Sequence, residues 1–179
     1  MTGRSRNRRI VEAFYAAIPA RDSAGVSAVL ADGFAPDAVM RVSDSLPYGG
    51  VHRGRDVIER MLLTLLRTAT PMVLPESIRV LRVAEDGDQI AVEVQFDWLA
   101  PGTSDPIAMS ATEWLTFRDH RVVELKVGYW DTAACLAAIR LPTATEQTRP
   151  GVLSSPLLGG CLTAGTTQTY IETARPNIR

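Results

Sequence analysis

The chain has 179 residues, of which 46% are hydrophobic and 22% are charged, and its formal net charge is −1. This length and composition predict one globular domain with at most a short appendage. The near-neutral charge argues against nucleic acid or an anionic membrane as a partner, and no segment approaches the roughly 20 apolar residues that a membrane span requires. We therefore predict a cytoplasmic protein.

Apolar spacing predicts helices, a strand and a loop in the first part of the chain. Ile10, Phe14 and Ile18 fall on one face of the first helix, and Asp22 or Ser23 can cap the second. The predicted order is a helix at 8–20, a helix at 22–30, a strand at 38–44, a loop at 45–50 and a strongly apolar helix at 57–68.

Four strand signals then follow, separated by turns, and a short helix ends the domain. The strands are predicted at 77–84, 89–99, 106–118 and 121–130, and the helix at 132–139. This order predicts an α+β fold in which a curved antiparallel sheet packs against the N-terminal helices around a central pocket. Residues 1–139 form this domain. Residues 140–179 are rich in Pro, Thr, Ser and Gly, and we predict an irregular arm that covers the pocket or a neighbouring subunit.

Strand alternation singles out Glu113 as a candidate catalytic acid. One face of the strand reads Met109, Ala111, Glu113, Leu115 and Phe117, so a single carboxyl lies on an otherwise apolar face. Burial raises the pKa of such a group, which suits a general acid near neutral pH. The alternative is a structural ion pair with an arginine such as Arg41, Arg79 or Arg82.

Other acidic and polar residues are weaker candidates for the same pocket. Asp44 continues the apolar alternation of its strand, and we interpret it as a base at the pocket rim or as a turn cap. Asp97 and Gln95 lie on one face of the 89–99 strand, and the sequence leaves open which face lines the pocket. Glu76, which follows Pro75, is a further candidate.

Aromatic and apolar side chains complete the predicted binding site, and no metal site is predicted. The two histidines and two cysteines have no metal-ligand spacing, so we expect neither a metal nor a cofactor. The predicted substrate-binding residues are Tyr15, Tyr48, His52, Met40, Val42, Gln95, Tyr129 and Trp130.

Three segments, together with the order of elements, resemble the nuclear transport factor two-like superfamily. They are residues 29–32 before 37–39, the helix start at 52–58, and residues 114–119 leading into 122–124. That superfamily includes ketosteroid isomerase, SnoaL-like polyketide cyclases and limonene-type epoxide hydrolases. The resemblance implies a cone-shaped α+β barrel over residues 8–139 and a homodimer.

The resemblance also implies roles for individual positions. Glu113 falls where the isomerase has its protonated aspartate, while the isomerase base falls at Val42, where this chain has no acid. The oxyanion tyrosine falls near Phe14, beside Tyr15. In the hydrolase pattern the partner aspartate falls at Gly128, so the water-activating set is incomplete.

Similarity to the hydrolase pattern extends to residues 95–97, which match its Arg-x-Asp segment without the arginine, and to Asp44, which falls near its water-binding asparagine.

We interpret the chain as a cofactor-independent cyclase or isomerase of a hydrophobic, polyketide-type intermediate, as in antibiotic biosynthesis, with ring closure favoured. Epoxide-opening cyclases of the polyether type use an Asp and a Glu, a pair that Asp44 with Glu113 or Glu76 could supply. Glu113 is the predicted acid and Asp44 the predicted base, with Asp97 and Glu76 in reserve. The alternatives are an epoxide hydrolase and a non-catalytic binding or dimerisation module.

Overall fold

A computed structural model describes residues 5–140 of the protein. Its helices are α1 (Arg6–Ala17), α2 (Ser23–Gly33), α3 (Arg55–Arg67) and α4 (Thr132–Arg140), with a 3-10 turn at Pro75–Ser77. Its strands are β1 (Phe34–Val42), β2 (Gly50–Arg53), β3 (Arg79–Asp86), β4 (Gln89–Trp98), β5 (Ile107–Arg118) and β6 (Arg121–Tyr129). The predicted arm at 140–179 lies outside the described residues except for its first residue.

The strands form one six-stranded sheet in the order β2-β1-β6-β5-β4-β3. Neighbouring strands are antiparallel except β1 and β6, which pair in parallel, so the sheet is mixed rather than wholly antiparallel. The edge strands β2 and β3 do not pair with each other, and α1 and α3 cover the inner face instead. The predicted α+β architecture is confirmed.

Helix boundaries follow local stereochemistry. The Ser5 hydroxyl caps α1 by accepting from the Arg8 backbone N–H at 2.9 Å, and Asp22 caps α2 by accepting from Gly25 at 2.9 Å. The first helix ends at Ala17, three residues before the predicted end, because Pro19 disfavours further helical turns.

The region around β1 differs most from the prediction. Strand β1 begins at Phe34, four residues before the predicted start at 38, and its pairing with β6 changes register between Phe34 and Val39, around Pro36. Residues 50–53, for which no strand was predicted, form β2 and pair with β1, with Val42 opposite Gly50. Four residues are too few to show the alternation by which a strand is predicted.

Burial settles which face of β4 points inward. Val94, Phe96 and Trp98 are buried, whereas Gln95 is exposed and Asp97 is half-buried on the other face. Trp114 and Trp130 are 50% and 63% exposed, and the Trp130 indole N–H donates to Thr112 on the outer face of β5 at 3.0 Å. The inner face is therefore the apolar one.

No helix within residues 5–140 has both the length and the apolar content to cross a membrane. The homodimer stays a prediction.

The loop between β1 and β2 is tightly packed, and it carries Tyr48. Replacing Gly49 by Ala would place a Cβ against the Ser43 carbonyl oxygen, which is backbone and cannot move aside independently. We expect Gly49→Ala to lower the free energy of unfolding by roughly 2–3 kcal/mol, measured by urea denaturation.

Gly87→Ala is the matched control. Gly87 has φ +56° but open space around a new Cβ, so only backbone strain of about 1 kcal/mol is expected. Equal losses in the two variants would contradict the packing argument.

Candidate active site

A cavity of about 820 Å³ lies between the inner face of the sheet and the helices α1 and α3. Its wall is mainly apolar and includes Phe14, Met40, Leu62, Phe96, Leu125 and Val127. Exposed lining residues mark the mouth; they include Arg60 and Thr68 of the α3 region, Pro101 and Gly102. A cavity of this size and character suits a hydrophobic small molecule.

Glu113 lies on the cavity wall and is bonded to Tyr15. The registers place Glu113 opposite Val92 on β4 and Val127 on β6, so its flanking positions in the sheet are apolar. The Tyr15 hydroxyl, carried by α1, donates to Glu113 Oε2 at 2.6 Å. The partner of Glu113 is thus a neutral phenol rather than an arginine.

The arginines that the sequence offered as structural partners lie elsewhere. Arg41 donates to Glu124 at 2.8 Å, and Arg82 lies 3.8 Å from Glu93. Arg79 is exposed on β3. Among residues 5–140, therefore, no cation neutralises the Glu113 carboxyl, and the hydrogen bond from Tyr15 is what stabilises its charged form.

Burial dominates the proton affinity of this pair. It raises the pKa of Glu113 from 4.5 to about 7, although the hydrogen bond from Tyr15 acts in the opposite direction. The pKa of Tyr15 is raised well above its usual value by burial and then by the nearby Glu113 charge. At neutral pH Glu113 is thus present in both protonation states, while Tyr15 stays protonated.

A second polar cluster lies on the same wall. The Trp98 indole N–H donates to the Tyr48 hydroxyl at 2.9 Å, and the Tyr48 and Tyr129 hydroxyls share a hydrogen bond of 2.7 Å. Phe96 packs edge-on against Tyr129, with ring centroids 5.3 Å apart. These contacts fix both phenol rings at the cavity.

The two phenols of this cluster stay neutral in the physiological range. Burial raises the pKa of Tyr48 to about 12, and it raises the pKa of Tyr129 well above the usual value. The proximity of Tyr48 and of the Glu113 charge acts on Tyr129 in the same direction. Both hydroxyls therefore keep their hydrogen atoms at neutral pH.

The structure brings together six of the residues predicted for the site. Glu113, Tyr15, Tyr48, Tyr129, Met40 and Val42 all line the cavity. Their roles in binding or catalysis stay predictions. His52 does not line the cavity; its ring Nε2 donates to the Tyr48 backbone carbonyl at 3.2 Å and supports the loop that carries Tyr48.

Asp44 lies outside the cavity lining, contrary to its expected position at the rim. The strand β1 ends at Val42, so the alternation that would turn Asp44 inward stops before reaching it. Its side chain is exposed in the following turn.

Four further predicted residues also lie away from the cavity lining. Asp97 and Gln95 point to the other face of β4, because Val94 and Phe96 take the inner face. Glu76 is exposed and accepts from Arg21 at 2.9 Å, and Trp130 lies against the outer face. The pKa of Glu76 is lowered by its own backbone N–H and by Arg21, which is the behaviour of a surface carboxylate.

Two contributors to the candidate site were not predicted from the sequence. Trp98 was not among the predicted site residues; the signal available in the sequence was that a buried indole N–H normally has a hydrogen-bond acceptor. The wall from α3 includes Val57, Met61 and Leu65 beyond its buried residues. The signal available in the sequence was that the apolar residues of α3 cover a wider arc than the single face that packs against the core.

Comparisons with known proteins agree with this architecture. The SnoaL-like domain family matches residues 11–125. No curated protein sequence matches the chain.

Three solved structures illustrate the similarity in fold. A nuclear transport factor two-like protein of unknown function from Burkholderia pseudomallei is 24% identical, with 77% of this chain and 100% of that chain covered and a TM-score of 0.59. A protein from Jannaschia sp. CCS1 described as a SnoaL-like polyketide cyclase is 17% identical, with 79% and 99% covered and a TM-score of 0.61. TerC, crystallised with polyporic acid, is 20% identical, with 76% and 100% covered and a TM-score of 0.59.

The raised pKa of Glu113 predicts a pH dependence of stability. Between its unfolded value of 4.5 and its folded value of about 7, the folded protein binds more protons than the unfolded chain. Stability from this group is therefore lost as the pH rises through that window, by at most about 3 kcal/mol, and is constant above it.

Urea denaturation of the wild type and Glu113→Gln at pH 5, 6, 7 and 8 measures this effect. We expect the free energy of unfolding of Glu113→Gln to fall less than that of the wild type as the pH rises from 5 to 7, because the variant has no carboxyl at this position. Glu124→Gln is the control, because hydrogen bonds from Arg41 and Lys126 lower the pKa of Glu124 and so put its titration below this window. An unchanged slope in Glu113→Gln would contradict the raised pKa.

Proposed function

The chain belongs to the SnoaL-like domain family, and from this premise we propose that it is a cofactor-independent cyclase or isomerase of a hydrophobic, polyketide-type carbonyl compound. Glu113 is the group that moves the proton in this proposal, and Tyr15 holds it in position. The substrate occupies the apolar cavity with an enolisable carbon against Glu113.

One observation carries the proposal. Glu113 is the carboxyl group that the described residues contribute to the cavity wall, and its pKa is raised to about 7 by burial. A group with this pKa accepts a proton in one step and returns it in the next at neutral pH. The base and the acid are therefore the same residue.

The proposed reaction begins with the Glu113 carboxylate. One carboxylate oxygen removes a proton from a carbon next to the substrate carbonyl; the C–H electron pair forms the C=C bond of an enolate, and the carbonyl π electrons move to oxygen. In isomerisation, Glu113 returns the proton to another carbon of the conjugated system. In ring closure, the enolate carbon attacks a second carbonyl of the substrate, and Glu113 gives its proton to the new alkoxide.

Ring closure is the outcome that we favour. A cavity of about 820 Å³ with a mainly apolar wall can hold a flexible chain in a folded, reactive conformation, which lowers the entropic part of the barrier. The protein from Jannaschia described as a polyketide cyclase supports a polyketide-type ligand by similarity of fold.

The position of Asp44 changes the chemistry that we first expected. Epoxide opening with Glu113 as acid and Asp44 as base needs both carboxyls at one substrate, and Asp44 does not line the cavity. Proton transfer through a single carboxyl has no such requirement. It also needs no ordered water, unlike epoxide hydrolysis.

Proton exchange in a simple ketone tests the proposal without knowledge of the natural substrate. The bicyclic ketone 2-tetralone in D₂O is incubated with the protein, and deuterium incorporation next to the carbonyl is followed by mass spectrometry. We expect the wild type to accelerate exchange and Glu113→Gln to reduce that acceleration by about 100-fold or more, because the acid–base group is lost.

Asp44→Asn is the matched control for the loss of a carboxylate, and we expect it to exchange deuterium at the wild-type rate. An equal loss in Asp44→Asn would favour the two-carboxylate scheme. If the wild type binds 2-tetralone without accelerating exchange, the non-catalytic binding module is supported instead.

A further inference from the structure

The hydrogen atoms of the Trp98, Tyr48 and Tyr129 cluster can be counted. An indole N–H only donates, so the Tyr48 oxygen accepts from Trp98. The two phenols supply one hydrogen each and share one hydrogen bond. With three hydrogens and two hydrogen bonds, one hydroxyl hydrogen has no acceptor in the cluster.

This result does not depend on which phenol donates to the other. If Tyr48 donates to Tyr129, the Tyr129 hydrogen is free, and if Tyr129 donates, the Tyr48 hydrogen is free. No other acceptor among the described residues contacts either hydroxyl, and both residues line the cavity. The wall therefore presents one phenolic donor to whatever occupies the cavity.

Tyr15 differs from this pair. Its one hydroxyl hydrogen is donated to Glu113 Oε2 at 2.6 Å, and the carboxylate form of Glu113 is the form that removes a proton. While Glu113 acts as a base, Tyr15 has no hydrogen left for the substrate. A donor for the substrate oxygen must come from elsewhere on the wall.

The sheet places the tyrosine pair within reach of the same small molecule. Tyr129 lies opposite Ala111 on β5, and Val127 lies opposite Glu113, so Tyr129 and Glu113 are diagonal neighbours on adjacent strands. Such positions are separated by roughly 7–8 Å between backbones, which long side chains can span. A carbonyl oxygen and the carbon next to it can therefore contact the two groups at once.

We propose that the Tyr48–Tyr129 pair, oriented by Trp98, binds the carbonyl oxygen of the substrate and stabilises the enolate oxygen as Glu113 removes the proton. The proposal rests on the proposed function and specifies its ligand as a molecule with a hydrogen-bond-accepting oxygen one carbon from the reacting C–H. The free phenol donates to that oxygen, and the donation strengthens as negative charge develops there. Trp98 is a positioning residue, since it acts through Tyr48.

The carbonyl stretching frequency of bound 2-tetralone, labelled with ¹³C at the carbonyl and measured by difference infrared spectroscopy, tests this assignment. A hydrogen bond lowers the frequency. In the double variant Tyr48→Phe/Tyr129→Phe we expect the frequency to rise toward its value in a non-hydrogen-bonding solvent. Binding should weaken by about 2- to 10-fold, the range for one neutral hydrogen bond.

Single variants keep the test valid if the double variant does not fold. In the wild type, one of the two phenols holds the free hydrogen. Removing the hydroxyl of that phenol, by Tyr48→Phe or by Tyr129→Phe, moves the free donor to the other phenol. At least one of the two variants should therefore shift the carbonyl frequency. Wild-type frequencies in both would overturn the proposal, as would a wild-type frequency in a folded double variant. Trp98→Phe should shift the frequency by a smaller amount, because a donor remains but is held less firmly.

Tyr15→Phe distinguishes the two tyrosine sites. We expect it to leave the carbonyl frequency unchanged, and a frequency rise in this variant alone would assign the donor to Tyr15 and overturn the proposal.

Glu113→Gln separates this inference from the proposed function. This variant should lose the accelerated deuterium exchange but keep the lowered carbonyl frequency of the bound ketone. If the wild type shows a frequency shift that depends on the tyrosines but does not accelerate exchange, only the proposed function is refuted.

Discussion

The burial of one carboxyl on an apolar sheet face is the constraint on which the site depends. Isolated charges are costly in such surroundings, so Glu113 takes up protons far more readily than an exposed glutamate. The hydrogen bond from Tyr15 offsets part of this cost by stabilising the charged form. An arginine partner would have held the carboxyl permanently ionised, and no partner at all would have favoured the protonated form still more. A neutral phenol leaves the group between these limits, where it can both accept and return a proton.

The fold imposes this balance through register. The strands β4 and β6 place Val92 and Val127 beside Glu113, while α1 crosses the same face and brings Tyr15 to it. The Tyr48 loop adds the second cluster, and its conformation depends on the close approach of Gly49 to the Ser43 carbonyl. The geometry of the candidate site therefore depends on ordinary sheet pairing and on one glycine.

The sequence was informative wherever periodicity was long and unambiguous. The alternation from Met109 to Phe117 on β5 placed Glu113 on the inner face without knowledge of the fold. Asp44 was misplaced because the alternation was extended two residues past the real end of β1, which is fixed by pairing to β2 and β6. The two faces of β4 could not be distinguished in advance, since the choice depends on which side α1 and α3 cover. The Trp98–Tyr48 bond joins residues 50 positions apart, and no local pattern encodes it.

The chemistry of the wall also explains why phenols, rather than a second carboxyl, suit the proposed reaction. A second carboxylate near Glu113 would raise its proton affinity further and would repel the enolate that forms when the proton leaves. Neutral hydroxyls avoid both effects, because their raised pKa values keep them protonated while they donate to developing negative charge. In the proposed reaction, the described residues of the cavity would divide two tasks between one group whose charge changes, Glu113, and one pair whose charge does not, Tyr48 and Tyr129. Such a division suits proton transfer at carbon, in which the site must accept a proton at one point and stabilise an oxyanion at another.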